Sequence, residues 1–257
     1  MTPDALLHHL ATGDAVELPV AVVVAHPDDE TLALGARLAH LHRLTLIHVT
    51  DGAPFDPGDA QRAGHATRES YAAARRAELA AALAAAEARP ERILAYDIPD
   101  QQAVHRLAEL TDRLTADLAG QAAVVTHPYE GGHPDHDACA YAVQAACARL
   151  GSAAPVRLEF AGYHFGPNGP VSGRFFERDG LECAAAPADQ SRRAAALAAF
   201  VTQAEIIAPF ANGPERLRLA PTYDFAQLPT PGRGLYDGYG WPITTARWCE
   251  IAAGERL

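Results

Sequence analysis

Two short stretches hold the residues best suited to hydrolytic chemistry. His26-Pro27-Asp28-Asp29-Glu30 sets one imidazole ahead of three consecutive carboxylates, and His133-Pro134-Asp135-His136 sets a carboxylate between two imidazoles. Imidazole nitrogen and carboxylate oxygen are borderline ligands that suit Zn²⁺, and three of them plus a water describe a catalytic zinc site. His26 and Asp29, three apart, can converge on one ion, and His136 is the best candidate for the third ligand. Crowding carboxylates costs self-repulsion, which a helix N-terminus offsets in part and a divalent cation offsets far more. Taken alone, Asp28 reads equally well as a helix N-cap, and Glu30 as a partner of the helix dipole. Capping does not account for two such clusters.

The elements around the clusters place them. Val20-Ala21-Val22-Val23-Val24-Ala25 is apolar without polar alternation, as expected of a strand buried on both faces. Leu32, Leu34, Leu38 and Leu41 then predict a helix, so His26–Glu30 falls at the carboxyl end of a strand. Further strands are expected at Leu44–Thr50, Ile93–Tyr96, Ala122–Thr126 and Val156–Ala161, with helices at Thr67–Ala88, Gln101–Leu118 and from about Pro134 to Leu150. Residues 51–66 read as a loop. This alternation implies an α/β, Rossmann-like three-layer fold with a mainly parallel sheet of order about 3-2-1-4-5. In that order the first and fourth strands adjoin at the switch point, where a crevice opens and the two clusters face each other. Beyond it, a hairpin around Asp179-Gly180, a helix from Gln190 to Ile207 and an aromatic tail from Pro209 are expected, the tail wrapping back on the core. The chain is read as one domain over residues 1–257, with a core at about 20–165 and a C-terminal extension at 166–257.

Composition excludes several partners. A net charge of −11 argues against a nucleic-acid ligand and against an anionic membrane surface. No apolar run approaches a membrane span, and no basic apolar leader opens the chain, so a cytoplasmic protein is expected. All 21 basic side chains are arginine, which removes lysine-nucleophile chemistry. Cys139, Cys147, Cys183 and Cys249 form no CxxC pair, and a reduced compartment is the simpler reading. Nothing in the sequence fixes an oligomeric state.

The paired motifs, His-Pro-Asp-Asp-Glu after the first strand and His-Pro-Asp-His after the fourth, resemble those of the PIG-L (LmbE-like) zinc N-deacetylases over residues 20–165. The resemblance implies hydrolytic removal of acetyl from an N-acetylglucosamine-type conjugate, a small acetamido-sugar substrate, and one Zn²⁺ per chain, with Fe²⁺ or another divalent ion as a substitute. It implies His26, Asp29 and His136 as metal ligands, Asp28 as general base and His133 as the acid that also steadies the oxyanion. Asp135 would orient His133 from behind. Arg75, in an Arg-x-x-Glu-Leu run with Glu78 and Leu79, reads on its own as a solvated helix residue; the resemblance makes it a substrate contact. By the same similarity Asp100 and Tyr129 are substrate-binding candidates. Gly131-Gly132 is expected to let backbone approach the substrate, and the tail aromatics suit either sugar stacking or an oligomer contact. Two other functions fit the same residues: a metal-dependent amidase acting on a non-sugar metabolite, and a metal- or sugar-binding protein without catalysis.

Overall fold

The first apolar run is a strand, β1 (Val16–Val24), and its side chains alternate between two cores. Val20, Val22 and Val24 face one core, whereas Ala21 and Val23 face the other, and Ala25 follows them. Burial on both faces explains the missing polar alternation. The computed structural model describes residues 1–177, 180–211 and 213–255. Around β1 the chain forms α1 (Pro3–Ala11), α2 (Asp29–Leu34), β2 (Leu41–Pro54), α3 (Gly58–Arg62), α4 (Arg68–Ala85), β3 (Arg92–Asp100), α5 (Leu107–Asp117), β4 (Ala123–Thr126) and α6 (Pro134–Leu150). Next come β5 (Val156–Phe160), β6 (Tyr163–Gly166), β7 (Gly169–Ser172), β8 (Leu181–Glu182), α7 (Pro187–Leu197), α8 (Ala204–Ile207), β9 (Arg216–Leu219) and α9 (Thr245–Gly254).

The main sheet runs β3-β2-β1-β4-β5-β9-β8, with the first five strands parallel and β9 antiparallel to both its neighbours. The expected order is therefore present and is extended at one edge by C-terminal strands. Leu110 and Leu114 of α5, Ala142 and Ala146 of α6 and Trp248 of α9 cover one face of it. Leu10 of α1, Leu34 of α2, Ala82 of α4 and Ala196 of α7 cover the other. β6 and β7 form a separate two-stranded hairpin. No described helix is long and apolar enough to cross a membrane.

Several boundaries differ from the expectation. The helix after Glu30 stops at Leu34; Leu38–His40 is a 3₁₀ turn, and Leu41 already belongs to β2. The buried Arg37 guanidinium donates to Leu10 O and Asp14 O, which ties this corner to the end of α1. The loop expected over 51–66 is shortened at its start, where β2 continues to Pro54, and interrupted by α3 at Gly58–Arg62. The helix expected from Gln190 to Ile207 breaks after Leu197, where fully buried Phe200 draws the backbone inward before a 3₁₀ turn and α8. Of the hairpin expected around Asp179-Gly180, Asp179 lies outside the described residues; Leu181 and Glu182 pair with β9. The aromatic tail does wrap back: Phe225, Tyr236 and Trp248 are buried in the core beneath α5 and α6.

Candidate metal centre and active site

At the carboxyl ends of β1 and β4 the chain changes direction from one half of the sheet to the other, and the two histidine-carboxylate clusters meet there. Rings of His26 and His133 lie 4.5 Å apart between centroids, and those of His26 and His136 lie 5.3 Å apart. The contacts give each atom a direction. His26 Nε2 lies 3.0 Å from Asp100 Oδ1 and 3.4 Å from Asp135 Oδ2, while His26 Nδ1 faces Asp29 Oδ2 at 3.2 Å. Asp29 Oδ1 in turn faces His136 Nε2 at 3.3 Å. A carboxylate behind one ring nitrogen fixes the tautomer and aims the other nitrogen forward, the usual arrangement behind a metal-ligating histidine.

This donor set fits a divalent cation. His136 Nε2 is buried without a hydrogen-bond partner. Single ligand atoms of His26, His133 and His136, and separately of Asp29, His127 and His136, lie within 4.8 Å of one another. A further group joins His26, Asp100, His133 and Asp135. Buried carboxylates this close to one another need a cation to offset them. The Asp29 carboxyl is held well below its usual range: burial pushes it up, but its interactions with His136 and His127 outweigh burial.

Asp28 sits at the N-terminal corner of α2 with φ 145°, a left-handed backbone that a non-glycine residue adopts only when its surroundings enforce it. Its side chain makes no capping bond, so the N-cap reading fails. The backbone N–H of Asp28 donates instead to Glu30 Oε2 at 3.1 Å, and His48 Nε2 lies 3.0 Å from the same oxygen. Glu30, fully buried, therefore pins the strained residue from below. Burial pushes the Asp28 carboxyl up, and the Arg75 guanidinium pulls it back toward the charged form.

Arg75 is 3% exposed and turned inward, which differs from both sequence readings. It donates to Gly52 O, Pro27 O and Asp28 Oδ2 at 2.8–2.9 Å. It orients Asp28, and its Nε is buried without a hydrogen-bond partner. Removing one member of a buried charge pair costs roughly 3–5 kcal/mol, so Arg75→Met should lower the free energy of urea unfolding by about that amount. A loss below 1 kcal/mol would show that Arg75 does not hold this corner.

His133 caps α6, and its Nδ1 accepts the Asp135 N–H at 3.2 Å, leaving the ring proton on Nε2. The expected side-chain pairing of Asp135 with His133 is not made, the closest approach being 3.9 Å. Asp135 accepts from Gln101 N and Ala103 N instead and stands behind His26. Asp100 is brought in, 3.6 Å from His133 Nε2. Tyr129 is not. Its hydroxyl donates to Gln227 O, and its ring packs on Phe225 and Trp248. The tyrosine that does reach the site is Tyr163, with its ring 5.1 Å from that of His136. Nor do the glycines open the backbone to substrate. A Cβ on Gly132 would meet Tyr163 O at 2.1 Å, and one on Gly131 would meet Gly234 Cα at 3.1 Å, so both admit neighbouring chain.

His127 was missed by the sequence reading. It stacks on His136 at 3.8 Å and lies 3.4 Å from Asp29, and its Nε2 accepts the Ala25 N–H. Burial first, then His136, push its pKa down to about 3, as suits an imidazole used as an acceptor. The available signal was its place, directly after β4 as His26 follows β1.

The family model for PIG-L, the GlcNAc-PI de-N-acetylases, matches residues 21–147, a span that begins in β1 and contains both clusters. The chain belongs to the PIG-L family. No curated protein matches it. Solved structures with the same fold include the deacetylase Dbv21, for the A40926 pseudoaglycone, with TM-score 0.58 and 17% identity over 81% of this chain and 100% of that one. The zinc-inhibited form of teicoplanin deacetylase Orf2 gives TM-score 0.56 and 17% identity over 74% of this chain and 86% of that one. N,N′-diacetylchitobiose deacetylase from Pyrococcus horikoshii gives 0.54 and 14% over 84% and 89%. The PIG-L match ends inside α6, so β5 to α9 lie outside the matched residues.

Proposed function

We propose that this protein is a metal-dependent N-deacetylase that hydrolyses the acetamide of an amino-sugar conjugate and releases acetate. The observation that carries this reading is the convergence of His26, Asp29 and His136 beside a buried base, Asp28, and a neutral imidazole, His133. Solved structures of similar fold are deacetylases of teicoplanin, of the A40926 pseudoaglycone and of N,N′-diacetylchitobiose, which supports the bond type and the sugar. His26 Nδ1, Asp29 and His136 Nε2 would hold the ion. A zinc or similar ion held there supplies a Lewis acid for the acetamide carbonyl and lowers the pKa of water.

The protein's own groups do the rest. Arg75 occupies Asp28 Oδ2, so Oδ1 is the oxygen left to take a proton from the attacking water. His133 Nε2–H points toward the cluster and can donate a hydrogen bond to the carbonyl oxygen as charge develops, while the proton that Asp28 takes from the water passes to the leaving amine nitrogen. A narrow cleft, partly open to solvent, reaches Asp29 and His136 between Phe160, Tyr163 and Phe210 and offers the acetyl methyl an apolar wall. The whole chain, 1–257, acts as one unit in which residues 20–165 carry the chemistry and 166–257 shape the approach. Four buried, unpaired cysteines suit the cytoplasm.

Acetate release from N-acetylglucosamine and its conjugates, assayed with zinc-loaded protein, tests the function. Turnover of acetamido sugars with none of simple non-sugar acetamides is the expected result. The reverse preference would favour an amidase of small metabolites, and no release from either would favour a binding protein.

A further inference from the structure

We propose that Trp241 and Tyr239 form an aromatic face for a second ring, one attached to the acetamido sugar on the side away from the metal. The inference rests on the deacetylase reading only in where the sugar sits. His133 turns its Nε2–H toward the reacting amide, whose nitrogen is the atom that joins the sugar. Whatever lies next to His133 on its open side therefore faces the acceptor and not the acetyl group. Trp241 lies against His133, with its ring 5.0 Å from that of His133 and nearly perpendicular to it at 71°. Tyr239 continues outward, 4.9 Å from Trp241. The two rings together offer more aromatic surface than one pyranose needs. The acetyl side is elsewhere, in the cleft between Phe160, Tyr163 and Phe210.

The face is exposed and yet held in place. Tyr239 is 52% exposed, and Trp241 is half-buried and packed against the core, an aromatic pair beside a buried polar site. Bonds on both flanks fix the segment that carries them. On one side Leu235 N donates to Gly131 O at 2.7 Å, and Tyr236 Oη donates to Asp137 Oδ2 at 3.0 Å. On the other, Thr245 N and Oγ1 donate to the two oxygens of Asp237, both at 2.7 Å, and Trp248 Nε1 donates to Pro134 O. Asp237 also accepts from Gly234 N, so one carboxylate closes the segment from 234 to 245 on itself. Large rigid aromatics lose little conformational entropy on binding, and a preorganised segment loses less. These residues lie outside the span matched by the family model, so the face belongs to this chain's own extension and not to the shared catalytic motifs.

The ligand chemistry is a flat ring with an apolar face, either the C–H face of a pyranose or an aryl group. Titration calorimetry of zinc-loaded protein with three product amines reads the face directly: glucosamine, its β-linked disaccharide and its para-nitrophenyl glycoside. Stacking on one aromatic side chain corresponds to roughly tenfold in affinity. The wild-type protein should bind at least one two-ring amine about tenfold more tightly than glucosamine, and Trp241→Ala should bring that ratio close to one while Trp241→Phe retains most of it. The disaccharide and the glycoside then tell a second sugar from an aryl group. A wild-type ratio near one for both ligands, or a ratio that survives Trp241→Ala, overturns the proposal. Because calorimetry needs no turnover, absence of acetate release would remove the deacetylase reading without touching this result, and the converse also holds.

Discussion

Asp28→Asn is expected to lower kcat by roughly 10²–10⁴-fold while metal content stays as in the wild type. Asparagine keeps the volume of the side chain and an oxygen to accept the Arg75 bond of 2.9 Å, so the pin under the strained corner remains. What it loses is the capacity to take a proton. The expected drop corresponds to about 3–5 kcal/mol of transition-state stabilisation at 1.36 kcal/mol per decade. Initial rates of acetate release, set beside a metal assay of the same preparation, check it. A rate within tenfold of wild type would remove Asp28 as the base, and a matching loss of metal would make it a ligand instead.

Stripping the divalent ion is expected to have the second largest effect. His26, Asp29, His136, Asp100 and Asp135 crowd one buried place, and the carboxylates repel one another once the cation is gone. A ligand present at a thousand times its Kd stabilises the folded state by about 4 kcal/mol. For a chain of this size each kcal/mol moves Tm by roughly 2–4 °C, so chelation should lower Tm by about 10 °C and abolish acetate release. Scanning calorimetry before and after chelator, and again after zinc is restored, measures it. A Tm unmoved by chelator would mean that protons alone neutralise the cluster.

The legible parts of this fold were those written in short-range pattern. β1 announces itself because both its faces are buried, and the paired clusters stand out because two strand ends repeat a histidine-proline-carboxylate order. What was not legible depends on contacts between distant segments. Arg75 looks like a solvated helix residue until Pro27 and Gly52 turn their carbonyls toward it. Asp135 was expected to support His133, yet the backbone N–H groups of Gln101 and Ala103 claim it. Tyr129 lies close in sequence to His133, but Phe225 and Trp248 fold back from the tail and bury it. The same tail places Trp241 against His133 across more than a hundred residues, a proximity no spacing rule encodes.

Both catalytic groups have meaning only if one ion joins two pieces of chain that are far apart in sequence. Elemental analysis of the purified, zinc-reconstituted protein beside its His136→Ala and Asp29→Ala variants tests that claim most directly. One equivalent of metal per chain in the wild type, with near-complete loss in each variant, is the predicted result. A wild type that retains no stoichiometric metal after desalting, or variants that keep a full equivalent, would contradict it.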